Sequence, residues 1–114
     1  MLAREWLKNT RAVMDQIEQT QMEPIRSAAT LMADSIQAGR WVHTFGCGHA
    51  TLPVEEMYPR IGGFVGFHPI VEQALTYFTR IVGDTGIHQF LFMERAEGFG
   101  REIMKSYTFD PRDT

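Results

Sequence analysis

Residues 41–67 read WVHTFGCGHATLPVEEMYPRIGGFVGF, and the fold turns on them. Trp41 to Phe45 is β-branched and aromatic without clean polar alternation, the pattern of a short strand covered on both faces. It runs straight into a glycine turn, Gly46-Cys47-Gly48-His49-Ala50-Thr51. Beyond the turn, Val54, Met57, Tyr58 and Ile61 recur at i, i+3, i+4 and i+7, which predicts a helix with one apolar side. Gly62-Gly63 ends that helix, and Phe64 to Phe67 offers a second strand. Strand, loop, helix and strand make a βαβ unit, which demands parallel pairing and a right-handed crossover.

Working outward, residues 2–20 read as an amphipathic helix with Leu2, Trp6, Val13 and Ile17 on one stripe. Pro24 interrupts the pattern and suits the first turn of a second helix, where its missing N–H costs little. Ile25, Ala28, Ala29, Met32, Ser35 and Ile36 form that helix's stripe, and Gly39 is a natural C-cap. On the other side, Pro69 opens a short helix through Ile70, Val71, Ala74 and Leu75, and residues 83–86 (GDTG) form a loop. Glu94 to Tyr107 is helical despite Gly98 and Gly100, and Asp110-Pro111-Arg112-Asp113 has turn chemistry. Only two segments read as convincing strands, fewer than the five or so of a doubly wound sheet.

Charge and composition narrow the class. The net charge is -3 with eleven scattered Lys and Arg, which supplies no footprint for nucleic acid or an anionic membrane. No apolar run approaches the roughly 18 residues of a membrane span. The first residues, MLAREWLKNTR, carry charge where a signal peptide needs its apolar stretch. The lone Cys47 excludes an intrachain disulfide framework and fits a reducing cytoplasm. Eight Phe, seven Met and two Trp are ample core material for a cytoplasmic globular domain.

The chemistry concentrates in the glycine turn. A turn between a buried strand and a helix lets backbone N–H groups meet an anion, and Gly46 and Gly48 allow close approach or positive φ. It is not a dinucleotide fingerprint, because the third glycine of that pattern would fall at Thr51. Thr51 can cap the helix and offer a hydroxyl to phosphate. His49 could move a proton on a sugar hydroxyl near neutral pH; the plainer alternative is a loop histidine bonded to backbone. Cys47 is a small residue in a tight turn before it is a reactive thiolate. Glu55 stays near the edge of the apolar stripe and Glu56 points farther around, so each is either a proton-abstracting carboxylate or a solvated acid complementing the helix dipole. His68 stands at the end of the second strand, where α/β sheets place ligands, and His43 alternates with Trp41 and Phe45 as a packed strand histidine. No two histidines have metal-ligand spacing and no cysteine pair exists, so no metal and no cofactor is expected.

VHTFGCGHATLPVEEMYPRIGGFVGFHPIVEQAL resembles the first βαβ unit of the sugar-isomerase (SIS) family, in particular its phosphoheptose-isomerase-like subgroup. The matching positions are Gly46, Gly48, His49, Glu55, Glu56, Arg60, Gly62, Gly63, Pro69, Ile70 and Glu72, with a weaker match through Glu94-Arg95, Glu97-Gly98-Phe99 and the closing turn. The resemblance implies an α/β fold with a doubly wound parallel sheet of five strands and flanking helices, dimerisation through helices, and a phosphosugar at the carboxyl ends of the strands. On that reading the chain is the N-terminal part of one SIS domain: helical over 1–39, a βαβ unit over 40–68, helical over 69–114. The family's Ser-x-Ser-Gly phosphate loop is absent from these residues, Ala50 stands where the family usually has serine or threonine, and Pro59 should kink or end the helix.

The implied catalytic residues are His49, Glu55 and Glu56. The implied phosphosugar contacts are Gly46, Cys47, Gly48, His49, Ala50, Thr51 and His68. The expected function is phosphosugar binding, with aldose–ketose isomerisation in the complete protein. The alternatives are a binding or sensing module without turnover, or an oligomerising structural fragment. The expected partners are a phosphorylated sugar and a second copy of the chain, joined through the N-terminal helices.

Overall fold

A computed structural model describes residues 2–58, 60–78, 83 and 86–114. The chain divides into two compact units, residues 1–34 and 35–114. The two successive helices expected from the sequence form one continuous helix.

 Helix α1 runs unbroken over Leu2–Gln37 with Pro24 inside it. Proline cannot donate to the carbonyl four residues back, but both Thr20 and Pro24 are exposed, so solvent can take that bond and the helix continues. Along residues 2–34, Leu2, Trp6, Val13 and Ile17 are all exposed. The helix ends as expected at Gly39, whose φ is 69°. Gly39 N–H donates to Ile36 O at 3.0 Å and Arg40 N–H to Ser35 O at 2.9 Å, the paired bonds of a Schellman cap.

In the second unit, β1 (Val42–Phe45) and β2 (Phe67–Ile70) form a parallel two-stranded sheet, as the βαβ reading requires. Between them lie a 3-10 turn (Gly48–Thr51) and α2 (Leu52–Met57). The register pairs Val42 with Phe67, His43 with His68, Thr44 with Pro69 and Phe45 with Ile70. The second strand therefore starts three residues later than the sequence suggests. Phe64 and Val65 are exposed, whereas Ile70 enters the core, so burial favours the later register. Gly66 precedes the strand because an added Cβ would lie 2.4 Å from Ile36 Cγ1. Val42 N–H donates to Gly66 O, and the alternation of a parallel ladder then turns Pro69's missing N–H away from β1.

Three short helices follow: α3 (Gln73–Thr76), α4 (Gly86–Met93) and α5 (Phe99–Met104). The helix expected to open at Pro69 begins only at Gln73, where the Glu72 carboxylate caps it by accepting from Ala74 N–H at 3.1 Å. The long helix expected over 94–107 shortens to α5, because Gly98 takes a φ of 86° at its N-cap and breaks the run. The apolar run of α4 was not anticipated; the expected 83–86 loop falls partly, and Pro59 wholly, outside the described residues. Ile70, Leu75 and Ile103 form the core, with Cys47, Phe90, Met93, Phe99 and Tyr107 packed around them.

The closing turn returns to β1. Thr114 N–H donates to Trp41 O at 3.0 Å and His43 N–H to Thr114 O at 2.7 Å, a parallel bridge on the edge of β1 opposite β2. No described helix is long and apolar enough to cross a membrane.

Candidate functional site

The turn after β1 is shaped by contacts that only glycine permits. A Cβ on Gly46 would sit 2.1 Å from Ala50 O, so the backbone folds back on itself at this point. Gly48 has φ +56°, the left-handed region, and its face lies against the Phe90 ring. Thr51 is buried, and its hydroxyl donates to Gly46 O at 2.9 Å. Its oxygen accepts no N–H from α2, so the hydroxyl closes the turn and does not cap the helix. Ala50 N–H is likewise taken up inside the turn, by Cys47 O at 3.1 Å.

A cleft of about 310 Å³ opens beside this turn, lined by Gly48, His49, Thr51, Leu52, Glu55, Thr76, Tyr77 and Phe78. It brings together His49 and Glu55, two of the three expected catalytic residues, with Gly48 and Thr51 of the expected phosphate loop. Val54 is buried and anchors α2, which leaves neighbouring Glu55 at the cleft. Glu56 is on another side of the helix, exposed and paired with Arg60, which lies beyond the helix end at Met57. Ala50 is exposed but does not line the cleft, and Gly46 is buried beneath the turn.

Cys47 packs against the core cluster, and burial first, then the Glu94 carboxylate, raises its pKa. That environment opposes a thiolate. His68 stands within β2, away from the turn. Its Nδ1 lies 3.1 Å from His43 Nδ1, and it lines a different cleft of about 620 Å³ with Trp41, Tyr58, Arg60 and Phe64.

The wall formed by Thr76, Tyr77 and Phe78 was not legible in the sequence, since no spacing links α3 to the turn. Thr76 is on that wall, and its hydroxyl is buried without a hydrogen-bond partner among the described residues.

The family model described as an SIS domain matches residues 5–114. The chain belongs to the SIS domain family. It is similar to a UPF0309 protein of Listeria monocytogenes serotype 4b, 28% identical over 112 residues, which is 98% of this chain and 43% of the relative. A UPF0309 protein of Thermoanaerobacter pseudethanolicus is 34% identical over 73 residues, 62% of this chain and 30% of the relative. Another, from Listeria monocytogenes serovar 1/2a, is 36% identical over 73 residues, 64% of this chain and 31% of the relative. The chain spans less than half the length of these curated relatives.

At the level of the family, an SIS domain indicates phosphosugar binding. In this SIS domain the glycine turn and the cleft beside it share Gly48, His49 and Thr51. Among the described residues, no group of three or more His, Cys, Asp or Glu side chains could hold a metal ion.

Proposed function

We propose that the cleft beside the glycine turn is the sugar-phosphate site, and that the complete protein is an aldose–ketose sugar-phosphate isomerase. The observation that carries this reading is the convergence of His49 and Glu55 on one cleft with Gly48 of the turn. Such an isomerisation takes a proton from the carbon next to the carbonyl, passes through an enediol and returns a proton to the neighbouring carbon. Glu55 is the carboxylate placed to carry the proton between carbons, and His49 the group to serve the sugar oxygens. Turn N–H groups meet the phosphate. Glu56, exposed and bound to Arg60, stays out of the chemistry.

Binding by residues 1–114 alone is weak on this reading. A charge–dipole contact at an exposed helix start contributes about 0.3–1 kcal/mol, whereas micromolar affinity needs about 8 kcal/mol. The remaining contacts come from other parts of the protein and a partner subunit. The alternative is a phosphosugar-binding module without turnover. The exposed stripe of Leu2, Trp6, Val13 and Ile17 supports a homodimer joined through the N-terminal helix.

The test is calorimetric titration and an isomerisation assay with several sugar phosphates, on this chain and on a version extended past Thr114. The extended protein is expected to bind tightly and turn over, and the short chain to bind weakly. Tight binding without turnover selects the binding module. Tight binding by the short chain overturns the shared-site reading, and binding indifferent to Gly48→Val removes the turn from the site.

A further inference from the structure

The face of β1 opposite Val42 carries a hydrogen-bonded chain of titratable groups that the sugar-phosphate cleft does not use. Asp113 Oδ2 lies 3.1 Å from His43 Nε2, and His43 Nδ1 lies 3.1 Å from His68 Nδ1. The side chains of His43 and Asp113 are 10% and 4% exposed. Ring contacts with Phe109 on His43, and with Trp41 and Tyr107 on His68, hold both imidazoles in place.

Proton bookkeeping along this chain has one solution when both rings are neutral. A carboxylate only accepts, so His43 carries its hydrogen on Nε2 and its Nδ1 is bare. The bond between the rings then requires the hydrogen on His68 Nδ1. That leaves His68 Nε2 bare, on a residue that lines the cleft of Trp41, Tyr58, Arg60 and Phe64. We infer that Asp113, His43 and His68 form one proton relay, which takes up its next proton at His68 Nε2 and shares it with His43. One added proton keeps every bond, since the hydrogen between the rings can sit on either nitrogen. A second would set two N–H groups facing each other at the His43–His68 contact and break it.

The other charged groups around the relay leave this assignment intact. Arg40 Nε donates to Asp113 Oδ1 at 3.0 Å, and its Nη2 lies 3.5 Å from Asp110 Oδ2. Arg112 is bonded to Asp110. Tyr107, the titratable neighbour of His68, has its hydroxyl engaged with Val71 N–H and O. Because Asp113 also accepts from Trp41 N–H at 3.1 Å, disruption of the relay reaches the bonds that hold the closing turn to β1.

The test is long-range proton–nitrogen correlation NMR of the imidazoles in the whole chain, through an acid titration from mildly alkaline pH, with exposed His88 as internal reference. At the start, His43 is expected to carry hydrogen on Nε2 and His68 on Nδ1. On acidification the two rings should change together in the first step. Amide exchange at Trp41 and Thr114 should then accelerate at the second. Hydrogen on His68 Nε2 at the start, or two rings titrating as independently as His88, overturns the relay. Exchange unchanged through the second step overturns its link to the turn. In His68→Phe, which keeps a ring against Trp41 and Tyr107, His43 should titrate in a single step; the wild-type assignment decides the matter if that variant fails to fold.

Discussion

Asp113 Oδ2 lies 3.1 Å from His43 Nε2, and that bond ties the closing turn to the first strand. The same carboxylate accepts from Arg40 Nε at 3.0 Å, Trp41 N–H at 3.1 Å and Asp110 N–H at 2.8 Å. The Asp110 N–H contributes most to holding the Asp113 carboxyl well below its usual range, with His43, Trp41 and Arg40 adding to it against the cost of burial. A depressed folded pKa stabilises above the unfolded value and loses that stabilisation as pH falls through the folded one. Unfolding measured against pH should therefore show stability draining away below about pH 4, the ordinary aspartate range. Asp113→Asn should flatten that acid limb, lower the stability at neutral pH and expose the Trp41 amide to exchange. An unchanged acid limb would show that the carboxylate is not the tie.

The glycine turn should discriminate sharply between its two glycines. Gly48→Ala puts a side chain at φ +56° and costs about 1–2 kcal/mol. Gly46→Ala should cost more, since its Cβ would meet backbone at 2.1 Å and the whole turn must move. Chemical denaturation of the two variants gives the order directly; equal losses would contradict this backbone geometry.

Thr51→Val removes the hydroxyl that donates to Gly46 O while keeping the side chain's shape. With that carbonyl left without a donor in a buried turn, the loss should be about 1–3 kcal/mol. Thr51→Ser, which keeps the hydroxyl, should recover part of it. If Val and Ser variants unfold at the same denaturant concentration, the hydrogen bond contributes nothing.

Cys47 should react slowly with iodoacetamide near neutral pH, because burial and Glu94 both raise its pKa. Labelling slower than that of a free cysteine peptide, and faster on unfolding, is the expected pair of results. Cys47→Ala should leave sugar-phosphate binding intact.

The N-terminal helix should drive self-association. Trp6 and Ile17 are 65% and 42% exposed, and glutamate at either position should shift sedimentation towards the monomer. A wild-type chain that sediments as a clean monomer at high concentration would count against the dimer.

Parallel pairing, the strand-to-helix turn and the Gly39 cap were legible in residues 2–67 because they rest on local signals: periodicity, β-branching and the special conformations of glycine. The same local signals placed Glu55 and Glu56 on different sides of α2. They misjudged the start of β2, because Phe64 to Phe67 has as much strand character as Phe67 to Ile70 and only burial of Ile70 chooses between them. Nor could they show that Pro24 lies within one helix, since that depends on exposure at the carbonyl it leaves unbonded. The wall of Thr76 and Tyr77 opposite His49, and the Asp113–His43–His68 chain, join residues 25 to 70 positions apart. Contacts over such separations are set by how the sheet and helices pack, and no spacing along the chain encodes them.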